Sequence, residues 1–121
     1  KKLQKKKILN IDLGTNNNSS VDYPDFAKKV AHAVKRDNKS IGILVCGSGT
    51  GMSMTANKIK GIRAAVCYNS ASTRLSRLHN NANIIALGSR LTKKNVIFKL
   101  VEIFLKTKFE GGRHLKRIKK I

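Results

Sequence analysis

Apolar and polar residues alternate over Ile8-Leu9-Asn10-Ile11-Asp12-Leu13, the period of a strand with one covered face. Gly14 and the run Thr15-Asn16-Asn17-Asn18-Ser19-Ser20 predict a loop after it. The period then changes. Phe26, Ala27, Val30, Ala31 and Val34 recur at helical spacing, with Asp22 as a candidate N-cap and Pro24 in the first turn. Ile41-Gly42-Ile43-Leu44-Val45-Cys46 is almost continuously apolar, as a strand covered on both faces must be. It enters Gly47-Ser48-Gly49-Thr50-Gly51, after which the pattern predicts a helix over about 52–58, a strand over 62–67, a helix over 70–78 and a strand over 83–87. A long amphipathic helix starts at Thr92 and runs through Val96, Leu100, Ile103 and Phe104, and a basic segment, 105–121, closes the chain.

Strands that alternate with helices through short connections make βαβ units, so the expected fold is α/β with a mostly parallel sheet. At 121 residues and 40% hydrophobic, the chain is expected to form one domain over 1–121. The apolar fraction argues against disorder even though 26 Lys and Arg face 6 Asp and Glu, a formal net charge of +20. That charge points first to nucleic acid. The basic residues are widely spread and mostly Lys, however, and aromatics are 5% with no Trp, so stacking platforms are scarce and any nucleic-acid association is expected to be non-specific. No apolar run approaches the ~20 residues of a membrane span, and no signal-peptide pattern opens the chain. Cys46 and Cys67 have neither disulfide-framework nor metal-ligand spacing, which fits a reducing, cytoplasmic setting.

In an open parallel sheet, ligands bind beyond the carboxyl ends of the strands. Three features end strands there: Cys46 with its glycine loop, the Tyr68-Asn69 turn, and Gly88-Ser89-Arg90. The loop glycines allow close backbone approach, and the N-terminus of the next helix favours an anion. The loop lacks the Gly-Lys-Ser/Thr of a nucleotide-phosphate loop and the spacing of a dinucleotide fingerprint. A tight turn with no ligand is the competing reading. A thiol beside a helix N-terminus has its thiolate favoured, so Cys46 is a candidate nucleophile or general base, or else a small buried hydrophobe. Cys67 fits the second role better. His79, before a strand and among Asn side chains, is a candidate acid–base. His32 and His114 fit structural or electrostatic roles. Arg113 and Arg117, four apart, would share a helix face and could grip a phosphate, or form a solvated basic tail.

Taken together and in order, Val21-Asp22-Tyr23-Pro24-Asp25-Phe26-Ala27, Cys46-Gly47-Ser48-Gly49-Thr50-Gly51-Met52-Ser53, Ala56-Asn57-Lys58, Gly61-Ile62-Arg63-Ala64, His79-Asn80 with Asn83, Ala86-Leu87-Gly88-Ser89-Arg90 and Phe109-Glu110-Gly111-Gly112-Arg113-His114 resemble the ribose-5-phosphate isomerase B family, which also holds galactose-6-phosphate isomerase. The resemblance runs from about Ile8 to Ile121. It implies a Rossmann-like three-layer sandwich and an aldose–ketose isomerase acting on D-ribose 5-phosphate and D-ribulose 5-phosphate, with no metal or organic cofactor. Cys46 would move the proton between C1 and C2. Backbone N–H groups of Gly47, Gly49, Thr50 and Gly51 would hold the enediolate oxygen, with Ser48 as a hydroxyl of that loop. His79 would open the sugar ring and Asn80 contact the sugar. Arg90, Arg113 and Arg117 would clasp the phosphate, and Tyr23 would line the pocket. The family implies a homodimer or homotetramer whose site lies at the subunit interface, with His79, Asn80 and Arg90 acting on the neighbour's Cys46. Cys46 favours the pentose phosphate over galactose 6-phosphate; other phosphorylated sugars such as allose 6-phosphate stay open.

One departure stands out. The family pattern opens with a strand ending in Asp-His-Ala-Gly, and this sequence begins after that point, so the domain is expected to be N-terminally incomplete. A catalytically impaired isomerase fold and a basic protein that associates with nucleic acid are the alternative functions.

Overall fold

The computed structural model describes residues 1–121. Its elements are α1 (Lys2–Lys5), α2 (Tyr23–Arg36), β1 (Gly42–Cys46), α3 (Thr50–Ala56), β2 (Ala64–Val66), α4 (Ser70–Asn80), β3 (Ile84–Gly88), α5 (Lys94–Lys106) and α6 (Arg113–Ile118). The three strands form one parallel sheet in the order β1-β3-β2, with Gly42 opposite Ile84, Cys46 opposite Gly88, and Ala64 also opposite Ile84.

All five residues of β3 are buried, because β3 is paired on both edges and covered on both faces. Its alternating side chains divide the core in two. Ile84 and Ala86 join Ala27, Ala31, Val34, Leu44, Met52 and Ala56, the layer supplied by α2 and α3. Ile85 and Leu87 join Cys67, Leu100 and Phe104, the layer beneath α4 and α5. Two helical layers around a parallel sheet make the expected α/β, Rossmann-like three-layer sandwich. The helical spacing of Ala27, Ala31 and Val34 turns one stripe of α2 onto the sheet. Pro24 stands in its first turn, and Asp22 takes the N-cap position but makes no side-chain cap bond. Asn69 caps α4 in full: its side chain accepts from Ser72 N–H at 2.7 Å, and Ser72 reciprocates.

The sequence reading needs correction at the start of the chain. Residues 8–13 are not a strand. They have no ladder partner, and Leu9 and Ile11 stand 97% and 83% exposed, so the alternation has no face to bury. The outer edge of β1 is correspondingly open, with Val45 47% exposed. Beside it lies a groove of about 610 Å³ lined largely by apolar side chains, among them Leu3, Ile8, Ile43 and Phe98. At the other end, of the helix and the solvated tail that the spacing of Arg113 and Arg117 leaves open, Arg113–Ile118 takes the helix. No helix is long and apolar enough to cross a membrane.

Candidate active site

The carboxyl end of β1 delivers Cys46 directly into the glycine loop. Gly49 caps α3 with φ of 80°, a left-handed conformation that L side chains rarely adopt, and a Cβ there would also press on the Leu87 backbone. That turn aims the Gly49 N–H at Cys46 Sγ, 3.1 Å away. The Thr50 N–H donates to Ser48 Oγ at 3.2 Å. The N–H groups of Gly47, Ser48 and Gly51 have no backbone partner, so three donors are free along the turn that leads from Cys46 into α3.

The end of β3 fastens this loop. Ser89 N–H donates to the Cys46 carbonyl at 2.8 Å, and Arg90 N–H to the Gly47 carbonyl at 3.0 Å. Gly88 is glycine because the loop lies on it: a Cβ there would sit 2.7 Å from the Ser48 carbonyl carbon and oxygen. The Arg90 side chain lies along Gly47, and the Tyr23 phenol lies against Gly51. Cys46, Ser48, Gly49, Thr50, Tyr23 and Arg90 are thus gathered within one chain. The sequence points Arg90 at a neighbour's Cys46; within one chain its backbone N–H and its side chain lie against Gly47 of its own loop. A cleft of about 320 Å³ adjoins, lined by Ser48, Thr50, Val66, Tyr68, Gly88 and Leu91. The larger groove beside β1 is lined mostly by apolar side chains, with Lys1, Lys2, Lys6, Lys106 and Glu102 at its edge, and contains none of the glycine-loop N–H groups.

His79 is elsewhere. It occupies the last turn of α4, which runs back from the carboxyl end of β2 toward the start of β3. The turn that follows is lashed down by two arginines. Arg63 Nε donates to the Asn81 carbonyl at 2.9 Å, Arg77 Nε to the Thr107 carbonyl at 3.0 Å, and Arg77 also to the Ala82 carbonyl. Burial pushes both guanidinium pKa values down, and Arg63 lowers Arg77 further. His79 and Asn80 therefore stand at the amino end of the sheet, and Cys46 at the carboxyl end. The four steps of β3 between those ends span about 13 Å.

The amino end has a cluster of its own. The His79 and His114 rings stack at 4.3 Å between centroids, inclined by 15°. Glu110 Oε2 faces His79 Nε2 at 3.8 Å and His114 Nε2 at 3.9 Å. Glu110 N–H donates to the Leu78 carbonyl at 3.1 Å, which pins the segment against α4. His114 is buried, and its pKa is pushed down by burial first, then by His79; Glu110 opposes, while Arg113 and Arg117 push further down. Arg113 and Arg117 lie one turn apart on α6, both exposed, as their spacing requires. The sequence reading missed Glu110 and treated His114 as background. The only local signal was their i,i+4 spacing; the approach of His79 is tertiary.

Cys67 is 1% exposed and packs in the core, with its thiol pKa pushed up by burial, as a small hydrophobe should be. His32 lies exposed on α2, apart from either cluster.

The comparisons with known proteins agree on one family. The ribose/galactose isomerase family model matches residues 1–121. Ribose-5-phosphate isomerase B of Escherichia coli is 44% identical over 111 residues, covering 92% of this chain and 74% of that protein. The ribose-5-phosphate isomerase B structure from Clostridium thermocellum superposes with a TM-score of 0.95 at 52% identity, over 98% of this chain and 80% of that one. The enzyme from Mycoplasma genitalium with bound ribulose-5-phosphate gives a TM-score of 0.94 at 45% identity, with the same coverage. A full-length family match and structural agreement at this identity leave one conclusion: the chain belongs to the ribose/galactose isomerase family.

Proposed function

We propose that the protein interconverts D-ribose 5-phosphate and D-ribulose 5-phosphate through a cis-enediolate, the aldose–ketose step of the non-oxidative pentose phosphate pathway. One observation carries the proposal: Cys46 Sγ stands at the mouth of a loop whose Gly47, Ser48 and Gly51 N–H groups are free. The relative from Mycoplasma genitalium with bound ribulose-5-phosphate supports the choice of sugar.

In the aldose-to-ketose direction the Cys46 sulfur takes the proton from C2 and returns it to C1, while the O2 hydroxyl proton passes to O1. The free N–H groups hold the oxygen on which negative charge grows. Ser48 orients within the same loop, and Tyr23 walls the pocket at Gly51. His79 opens the furanose ring, Asn80 contacts the sugar, and Arg90, Arg113 and Arg117 bind the phosphate. Because His79, Asn80 and Cys46 lie at opposite ends of one sheet, a complete site takes the loop from one copy and the His79 end from another. That requirement supports a homodimer or a homotetramer.

The test is turnover of ribose 5-phosphate by the purified protein and by Cys46→Ala. Removing a positioned acid–base group costs ~10²–10⁴-fold, so the variant is expected to lose activity by that factor with its circular dichroism unchanged. Full activity in Cys46→Ala removes the assigned base. Turnover of allose 6-phosphate but not ribose 5-phosphate replaces the assigned substrate.

A further inference from the structure

Three side chains at the amino end of the sheet offer more than acid–base chemistry. His79, Glu110 and His114 each present one donor atom, and the three donors lie within 4.8 Å of one another. They come from three different segments: the last turn of α4, the loop before α6, and the first turn of α6. The gaps from Glu110 Oε2 to the two imidazole Nε2 atoms, 3.8 and 3.9 Å, are too long for hydrogen bonds. They are about half an ångström longer than the ~3.3 Å edges of a tetrahedron drawn around an ion with ligands at ~2.0–2.1 Å, and the third side of the triangle lies within 4.8 Å, so binding draws the three donors together.

We propose that His79, Glu110 and His114 form a binding site for a zinc-class divalent cation, and that an ion held there inhibits the isomerase. Two imidazoles and one carboxylate are a donor set that suits zinc, and the fourth position stays open to water. Magnesium and calcium prefer oxygen-rich shells and are excluded by the same chemistry. His114 is the fixed ligand, since it is 5% exposed. His79 and Glu110 are the adjustable ones, with side chains 39% and 57% exposed. Adjustment is needed, because an ion lies near the plane of each imidazole that binds it. Two rings stacked at 4.3 Å and 15° cannot both meet that condition. His79 therefore turns out of the stack, and Glu110 swings in to close the third side. The neighbouring Arg113 and Arg117 cations weaken binding, so the site is a reversible one and not a structural metal centre.

The inhibition rests on the reading of His79 as the ring-opening group: an ion on its Nε2 removes the nitrogen that moves the proton. The metal site itself does not rest on that reading, and the two are read separately. Co²⁺ is the probe for binding, through the visible absorption of its tetrahedral complex; Zn²⁺ is the probe for activity. Cys46→Ala serves as background for the cobalt titration, so that the loop thiol cannot compete. One Co²⁺ per chain is expected, with no thiolate-to-metal charge-transfer band and displacement by Zn²⁺ but not by Mg²⁺. Glu110→Gln, which is isosteric, and His114→Gln, which keeps a polar side chain of similar length, are each expected to weaken binding by at least the ~10–100-fold that loss of a mere supporting partner costs. His32→Gln is expected to leave it unchanged. In the native protein, Zn²⁺ is expected to abolish turnover, with recovery on chelation, and Glu110→Gln is expected to resist it. No cobalt spectrum, or one that survives Glu110→Gln and His114→Gln alike, overturns the site. A cobalt site that is present while Zn²⁺ leaves turnover untouched keeps the site and overturns the role of His79.

Discussion

At the carboxyl end of the sheet the candidate site is mostly backbone gathered around one thiol, and at the amino end it is built from side chains. The Cys46 loop offers free N–H groups fixed by a left-handed glycine and by the end of β3. The His79 end offers two stacked imidazoles, a carboxylate and a helix bearing two exposed arginines. The first has its donors in one sequence motif, fastened by the end of β3, and cannot flex without breaking those hydrogen bonds. The second is assembled from residues some thirty positions apart and is partly exposed. Rigid donors suit an enediolate, whose charge must be met without reorganisation; adaptable side chains suit ring opening and phosphate capture.

The contrast breaks most sharply at Gly88. A Cβ there meets the Ser48 backbone at 2.7–2.8 Å, with no flexible side chain to give way. Gly88→Ala is expected to cost ~1–3 kcal/mol of stability, as overpacking does, and to lower turnover further than the stability loss alone accounts for. Urea unfolding and steady-state kinetics on the same variant check both parts. Turnover that simply follows the folded fraction would show that the loop position is not critical.

A smaller effect is expected from pH at the amino end. His114 is held neutral, with its pKa below the usual ~6.5 of the unfolded chain. The folded state then binds fewer protons than the unfolded one. Its contribution is complete above ~6.5 and declines as pH falls below that value toward the folded pKa. The melting temperature is expected to drop between pH 7.5 and 5.5, and His114→Gln to flatten that drop. An identical slope in the variant contradicts the assignment.

The smallest effect lies away from both ends. Glu102 accepts from Lys6 at 2.9 Å and from Lys106 at 3.2 Å, and those two cations lower its pKa to about 2. Its stabilisation is present above the ordinary carboxylate pKa of ~4.3 and is lost as pH falls through about 2. All three groups are well exposed, so salt screens them. Glu102→Gln is expected to lower the melting temperature slightly in low salt and not at all in high salt. A shift that persists in high salt would mean the pair acts through packing.

The same contrast explains what the sequence could show. β3 was legible because a strand buried on both faces reads as a continuous apolar run, β1 because its run is equally apolar although Val45 stays 47% exposed, and α2 and α5 because each keeps one apolar stripe. The Cys46 loop was legible because all its parts are consecutive. Residues 8–13 misled because alternation signals a strand only where one face is buried, and here Leu9 and Ile11 stay exposed while the outer edge of β1 stays unpaired. Arg113–Ile118 could be read as helix or tail because its charges hide the one residue, His114, that buries against the fold. The His79 cluster was half-visible: His79 stood out among asparagines, but Glu110 and His114 become partners only when α6 folds back onto α4. The contact of Arg90 with its own Gly47 was hidden for a related reason, since it depends on β1 and β3 lying side by side.

The central claim is that a working site combines the Cys46 end of one copy with the His79 end of another. Mixing two inactive variants, Cys46→Ala and His79→Ala, tests it most directly. Random reassortment into symmetric dimers makes half of them mixed, each with one intact site of two, so activity is predicted to return to about a quarter of the wild-type value. Mixed oligomers that form and stay inactive would contradict the account.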